Sequence, residues 1–524
     1  MRRSAPARRY HVGRRRATGV RAPSAPCQTG RVSRFDAVVV GAGPNGLAAA
    51  VTLARAGLSV RVYERSARIG GGARTAELTL PGYLHDVCSA IHPMAFASDF
   101  FRRFGLTRRI PFVTPELAYG HPLDGGGAAL AYRSLERTAE ALGPDGPAWR
   151  GLFEPLVRRS EALAELSGGP LLRFPRDPST FVRFGLRVLE QGGPAWDLRW
   201  RGEAGPALLT GVMAHAILRL PSLGTAATGL GLATFAHAAG WPVPIGGSQA
   251  IVDALADDLC AHGGEILAGR TVDRVEELPP ARAVLFDTSA RALVRLTGTA
   301  VPPRARQALL RQRLGNGASK VDFALSGPVP WANPALAAAG TVHVGGSRAQ
   351  LAEAENEVAR GRHAPRPYVL VAQPSTFDPT RTPDDGHTLW TYSHVPRGST
   401  VDQTEAITAQ IERFAPGFRD VVVASSSRTA ADLEAYDPNY IGGDISSGAG
   451  SFAQLVARPR PAREPWRLPG TPYYLCSSAA APGPGVHGLA GWHAARSALR
   501  HEFGILRAPD LSPEAEPASA LDPV

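Results

Sequence analysis

The sequence predicts an α/β protein with a Rossmann-like nucleotide-binding unit near its start. Three observations within residues 35–64, FDAVVVGAGPNGLAAAVTLARAGLSVRVYE, carry that prediction. The nearly continuous apolar run FDAVVV has the pattern of a central parallel strand, buried on both faces. Three glycines in Gly-x-Gly-x-x-Gly spacing follow it directly. A second apolar run then ends on Glu64, eighteen residues after Gly46.

Each element has a physical reason. Gly41 permits a sharp exit from the first strand. Gly43 carries no side chain, so a diphosphate can approach the backbone there, and Gly46 lets the next helix pack closely on the sheet. Pro44 and Asn45 lie in the same loop and belong to the same expected cradle. LAAAVTLARAG has helix-forming composition and ends at Gly57, a C-terminal cap. The helix start offers free N–H groups and a positive dipole end to phosphates. LSVRVYE is the second strand. The Glu64 carboxylate at its end can accept hydrogen bonds from both hydroxyls of a ribose, with Arg65 beside it. The glycine spacing alone is a weak signal. Placed between a strand and a helix, with an acid at the right distance, it predicts a dinucleotide site. A protein-kinase phosphate loop has neither that helix nor that acid.

The next residues, RSARIGGGARTAELTLPGYLHD, add a second glycine turn at Gly71 and Gly72, followed by Arg74 and Thr75. Such a turn can pass backbone close to a long cofactor, with Arg74 offsetting phosphate charge. This pattern resembles the flavin-binding end of glutathione-reductase-like and amine-oxidase-like flavoproteins, which implies FAD rather than NAD alone. A flavoprotein of that type needs its C-terminal segment to return to the cofactor. PYYLCSSAAAPGPGVHGLAGWHAARSALR, residues 472–500, reads as a strand, a Gly/Pro-rich loop and a helix. Its N–H groups near Gly485, Val486 and His487 are expected at the flavin pyrimidine edge, where a positive dipole end stabilises charge on the reduced ring.

Further stretches between these ends include AGWPVPIGGSQAIVDALADDL, GGEILAGRTVDRV, GNGASKVDFALSGPVPW and DPNYIGGDISSGA. With the two glycine turns they resemble the phytoene-dehydrogenase-like FAD oxidoreductases over roughly residues 34–505. Within that family they resemble the branch that includes an animal pyridine nucleotide-disulphide oxidoreductase domain-containing protein. The resemblance implies a Rossmann-like, glutathione-reductase-type FAD domain in three pieces (35–115, 240–330 and 465–505), with an inserted α+β substrate domain (116–239 and 331–464). It also implies a strand through 263–275 with Val272 packed on the adenine, and a lipophilic substrate. The family's glycine-rich returning loop reads SSAAAPGPGV here, a departure on the expected flavin face.

Composition narrows the function classes. Hydrophobic residues make up 44% and charged residues 20% of the 524, ordinary for a globular enzyme. Ten of the eleven excess positive charges are arginines within residues 1–34, which hold no acid. The remainder is nearly neutral, so no nucleic-acid partner is expected. The arginine-rich start reads as a disordered tail, compatible with a mitochondrial transit segment or with translation beginning near Val32. Residues 506–524 read as a flexible C-terminal tail. The four widely spaced cysteines suit a reducing compartment. The expected location is cytoplasmic, or the mitochondrial matrix in a eukaryote. The long uncharged segment from Leu220 to Val252, broken by Gly and Pro, reads as buried wall or channel.

The leading expectation is an oxidoreductase that dehydrogenates or desaturates a hydrophobic small molecule by hydride transfer to flavin N5. An amine-oxidase-like enzyme, a redox-neutral flavin isomerase and a flavin-binding interaction protein with little turnover remain alternatives. Flavin carries such chemistry, so no catalytic triad and no metal are expected. His487 and His92 are the candidates for contact with flavin or substrate, against capping the helix start and a buried hydrogen-bonded histidine respectively. His237 and Trp241 read as core or pocket lining. Trp390, Tyr392 and His394 alternate along one strand face, and Lys320 is a candidate partner of flavin in its reaction with oxygen. The amphipathic stretch STFVRFGLRVLEQGG, residues 179–193, is a candidate for peripheral membrane contact, against a solvated helix packed on the core.

Overall fold

The computed structural model describes residues 34–514. The expected disorder of the first 33 residues, and of residues 515–524, lies outside the described residues. Along the chain come β1 (Phe35–Val40), α1 (Pro44–Ala54) and β2 (Val60–Tyr63), then β3 (Leu117–Pro122) and β4 (Ala128–Tyr132). The helices that follow include α2 (Pro178–Gly192), α3 (Ala204–Met213), α4 (Leu223–Ala238) and α5 (Gln249–Ala261). β5 (Glu265–Leu267) and β6 (Ala281–Phe286) precede β7 (Gly317–Leu325), β8 (Ala339–Val344), β9 (Val369–Ala372) and β10 (His387–Val395). The chain continues through α6 (Thr404–Glu412), β11 (Val422–Arg428), β12 (Tyr473–Leu475) and α7 (Leu489–Phe503), with further helices and short strands between the elements named.

Two sheets organise these elements. The first is all parallel, in the order β12-β6-β1-β2-β5. β1 lies at its centre between β6 and β2, so FDAVVV is apolar because both of its faces are covered. This is the Rossmann-like α/β unit expected from the sequence. α1 buries every residue from Asn45 to Ala54. Its alanines, and Gly491 on α7, let the two helices pack backbone to backbone. A Cβ on Gly491 would sit 1.8 Å from the carbonyl oxygen of Asn45. That contact joins chain segments more than 440 residues apart.

The second sheet has seven strands in the order β11-β7-β10-β9-β8-β3-β4. Only the β8–β3 pair is parallel. Its strands alternate between two chemistries, as a period of two requires. One face carries Val321, Phe323, Val342, Val344, Val369, Val371 and Leu389, packed with Ile407 and Ile411 of α6. The other carries Tyr119, Leu370, Trp390 and Tyr392, which join a core with α3 and α4.

Two boundaries expected from sequence change. Residues 317–325, grouped by sequence with the nucleotide-binding part, pair antiparallel with β10 and β11 and so belong to the second sheet. Nothing local in an apolar strand names its partner. Residues 506–514 are docked rather than a flexible tail: Leu511 is buried in the first core. The Arg55 guanidinium donates to the carbonyls of Asp510 and Ser512 while also pairing with Asp258 at 2.6 Å.

The α1–α7 contact makes a direct prediction. Gly491→Ala inserts a methyl where no space exists, and overpacking of this kind costs about 1–3 kcal/mol. The denaturation midpoint should fall accordingly. An unchanged midpoint would show that these helices do not approach as described.

Candidate functional site

The first glycine loop wraps around a carboxyl group that sequence reasoning missed. Asp287 follows β6 directly, and its Oδ2 accepts the Gly46 N–H at 2.9 Å. Gly41 has φ +104°, and a Cβ there would lie 2.6 Å from the Asp287 carbonyl oxygen. A Cβ on Gly43 would lie 2.6 Å from Asp287 Oδ2, and one on Gly46 2.2 Å from the Gly41 carbonyl. The loop is therefore bare first because of Asp287 and its own turn. Gly46 packs against that turn rather than simply against the sheet. Burial pushes the Asp287 carboxyl up to about 7, with Asp437 and Glu64 adding to the effect. Gly41, Gly43, Pro44 and Asn45 all face the cavity that opens beyond the loop, and Gly46 backs it.

Glu64 stands at the end of β2, as expected, and lines the same cavity. Its Oε2 accepts the Ala42 N–H at 3.0 Å, and its Oε1 accepts the Ser66 N–H at 2.8 Å. Arg74 lies 3.2 Å from Oε1 and donates to the Tyr436 hydroxyl at 2.9 Å. The arginine expected to offset phosphate charge is thus engaged with the ribose-binding acid instead. A carboxylate accepts about four hydrogen bonds, so capacity remains for a sugar. Arg65 also faces the cavity, and its guanidinium donates to the Tyr436 carbonyl. Gly71 and Gly72 form a short turn on the wall, with the Tyr440 hydroxyl where a Cβ on Gly72 would go. Val272 reaches the wall too, but from a loop, because β5 ends at Leu267.

The C-terminal segment returns to this cradle. Gly485, Val486 and His487 line the cavity, and α7 begins at Leu489. His487 Nδ1 accepts the Leu489 N–H at 3.0 Å, and Nε2 meets the Gly483 carbonyl at 3.1 Å. His487 therefore caps the helix start and faces the cavity as well. His92 is also buried on the wall, with Nε2 2.8 Å from Ser248 Oγ. The Ser248 hydroxyl donates to the Ser89 carbonyl, so it must accept from His92. Burial pushes both imidazoles down to about 4, so both are neutral near pH 7.

Beyond the cradle the cavity, about 1220 Å³ in all, becomes apolar. Its walls there include Phe184 and Val188 of α2, Leu232 and Phe235 of α4, and Trp241, Trp390 and Tyr392. The uncharged segment read as buried wall is such a wall. Four carboxylates line the cavity among the described residues. Glu64 and Asp287 belong to the cradle, and Glu434 and Asp437 flank Tyr436 beside it. Uncharged polar residues in the apolar part include Thr228, Thr341, Trp390, Tyr392 and His215. Thr341 Oγ1 and Trp390 Nε1 are buried without a hydrogen-bond partner. His215, missed by sequence reasoning, lies with Nε2 2.9 Å from His343 Nε2, and burial pushes it down to about 3.

The other expected residues divide. Trp241 lines the cavity, whereas His237 accepts from Trp149 Nε1 within the core. His394 pairs with Glu355 at 2.7 Å behind the wall. Lys320 is paired with Asp322, its ammonium 5.4 Å from the centre of the Trp390 ring, and does not reach the wall. No cluster of three or more His, Cys, Asp or Glu residues suited to a metal ion occurs among the described residues.

Fold and cradle together are those of an FAD-binding oxidoreductase. A family model described as an NAD(P)-binding Rossmann-like domain matches residues 39–104. The chain is 27% identical to the rat pyridine nucleotide-disulfide oxidoreductase domain-containing protein 2, covering 89% of this chain and 93% of the rat protein. In structure it is similar to putrescine oxidase bound to putrescine, with a TM-score of 0.54, 19% identity and coverage of 90% and 99% of the two chains. It is equally similar to cyclohexylamine oxidase from Brevibacterium oxydans, with a TM-score of 0.55, 16% identity and the same coverage.

Asp287 makes the cradle pH-sensitive. A carboxyl whose folded-state pKa lies above its unfolded value stabilises the fold at pH 4 and loses that contribution as pH rises through about 7. FAD affinity should fall over the same range, because the ionised carboxylate stands close to the expected diphosphate. Asp287→Asn should flatten both profiles. Equal slopes in the variant and the parent would assign the titration to another group.

Proposed function

We propose that this chain is an FAD-dependent oxidoreductase that dehydrogenates an apolar, uncharged small molecule bearing one neutral oxygen function. One observation carries the reading: the dinucleotide cradle opens into a large, mostly apolar cavity whose apolar part is lined by the uncharged polar residues Thr341, Tyr392 and His215.

Bound FAD would supply a ring that accepts a hydride. Glu64 would hold the ribose, and the start of α1 would face the diphosphate. The loop at Gly485–His487 would lie along the ring, its position fixed by the His487 cap. The apolar walls exclude water and hold the substrate's reacting carbon in place. Tyr392, kept neutral by burial, would bring a hydroxyl on the wall to an oxygen of the substrate. His215 is on the wall and held neutral by burial, which disfavours its protonated form, so it would serve the substrate as a hydrogen-bonding group oriented by His343.

An amine substrate is the second reading. The similarity in fold to two amine oxidases and the aromatic wall of Trp241, Trp390 and Tyr392 favour it. Among the described residues the apolar part of the cavity has no carboxylate to balance an ammonium, so an amine would have to enter in its neutral form. Desaturation of a carotenoid-like polyene is a narrower form of the leading reading and draws its support from sequence resemblance.

The purified protein is expected to show the absorption bands of bound flavin. Anaerobic mixing with long-chain alcohols, ketones, polyenes or primary amines should bleach those bands for the true class. Bleaching by amines alone would replace the first reading with the second. Glu64→Ala removes a charged hydrogen-bond acceptor, an effect of about 1.5–3 kcal/mol. FAD affinity should drop about 10–100-fold, and a Kd within a factor of about two of the parent would remove Glu64 from the site.

A further inference from the structure

Seven of the twelve large apolar side chains left exposed among the described residues lie between positions 172 and 198. Phe174 and Leu198 are 87% and 86% exposed, and Leu186 and Leu189 about 60%. α2 explains the concentration. Its inner side, Phe184 and Val188, lines the cavity, and its outer side repeats apolar residues at Val182, Leu186 and Leu189. Phe181 and Leu189 are both exposed and part of the cavity lining, as is Leu172 of the preceding loop. The wall is thus one side chain thick, and the apolar lining runs outward onto an apolar surface without a polar break. Arg173 and Arg176 stand at the rim of that surface 3.1 and 4.0 Å from Glu165, two cations sharing one acid, and Arg183 is exposed there as well.

A surface of this kind is a docking site. Its occupant must cover scattered, protruding side chains, accept basic residues at the rim, and be continuous with an apolar cavity. We infer that α2 and the loop before it seat this protein on an anionic lipid bilayer, with the cavity mouth open to the acyl layer. Apolar side chains enter the headgroup–acyl boundary while arginines at the rim meet lipid phosphates. An apolar substrate then passes from lipid to cavity without crossing water. Docking of this kind is peripheral, and no helix among the described residues is long and apolar enough to cross a membrane. The inference stands apart from the redox reading, since it concerns where the cavity opens and not what occurs in it.

Vesicle co-sedimentation of the full chain tests it. The full chain should pellet with phosphatidylcholine vesicles containing about a third phosphatidylglycerol and only weakly with phosphatidylcholine alone. Phe174→Asp combined with Leu186→Asp changes exposed residues outside the cavity lining and should lower the partition coefficient at least about ten-fold. The milder Phe174→Gln, Leu186→Gln pair should lower it in the same direction. The arginine-rich N-terminal segment is present in all three proteins, so equal pelleting would assign binding to that segment and overturn the inference. Failure of the parent to pellet would overturn it too. So would a dimer in light scattering that both variants dissociate, which would make a second copy of the chain the occupant.

Discussion

A single carboxyl group, half-buried on the cavity wall, holds the candidate site in shape. Asp287 directly follows β6, and its carboxyl accepts the N–H of Gly46, the last glycine of the loop that leaves β1. The two strands are neighbours in the parallel sheet, so their C-terminal ends open onto the same crevice, where ligands of such sheets bind. The Asp287 carboxyl fills the space beside Gly43 and Gly46 and its backbone carbonyl the space beside Gly41, and no larger residue fits at any of the three. The group is also poised between charge states. Burial favours the neutral acid, while the Gly46 N–H favours the carboxylate. A loop built to receive a doubly charged diphosphate is therefore held by a group that need not carry a competing negative charge.

The second sheet solves a different problem with one period. Successive residues of a strand point to opposite faces, so the same strands pack aliphatic residues against α6 and present rings to the cavity. This places Trp390 and Tyr392 on the wall and leaves His394 of the same face deeper, tied to Glu355. Thr341 and His343 repeat the pattern two strands away, on β8: the threonine reaches the wall, and the histidine stands behind it against His215. The chemistry of the far wall follows from which side chain of each alternating pair lies nearer the opening.

Much of the cradle was legible in the sequence because its signals are local. The strand, glycine loop, helix and Glu64 lie within thirty consecutive residues, and hydrogen bonds over short range dictate their spacing. What was not legible depends on partners far along the chain. The Gly46–Asp287 bond spans 241 positions. β7 reads as an apolar strand, and only its ladder with β10 and β11 shows which sheet it joins. Arg74 was read as a free cation near phosphate; its pairing with Glu64, ten positions away, depends on how the second glycine turn folds back. The rings of Trp390 and Tyr392 were seen to share a face, but periodicity alone does not say whether that face meets a cavity or a neighbouring layer.

α2 shows the same limit from the other side. Its arginines and apolar residues repeat as in any surface helix, a pattern that fits a helix packed on a core. Only the structure shows that the buried stripe is the cavity wall, and that a second apolar stripe remains in the open. A helix apolar on two sides satisfies one with the protein and leaves the other to its surroundings. In water that second side costs free energy in proportion to its area, and nothing in the fold of α2 requires it. Its position over the mouth of an apolar cavity gives it a use, because a passage for water-avoiding molecules is best placed where water has already been excluded.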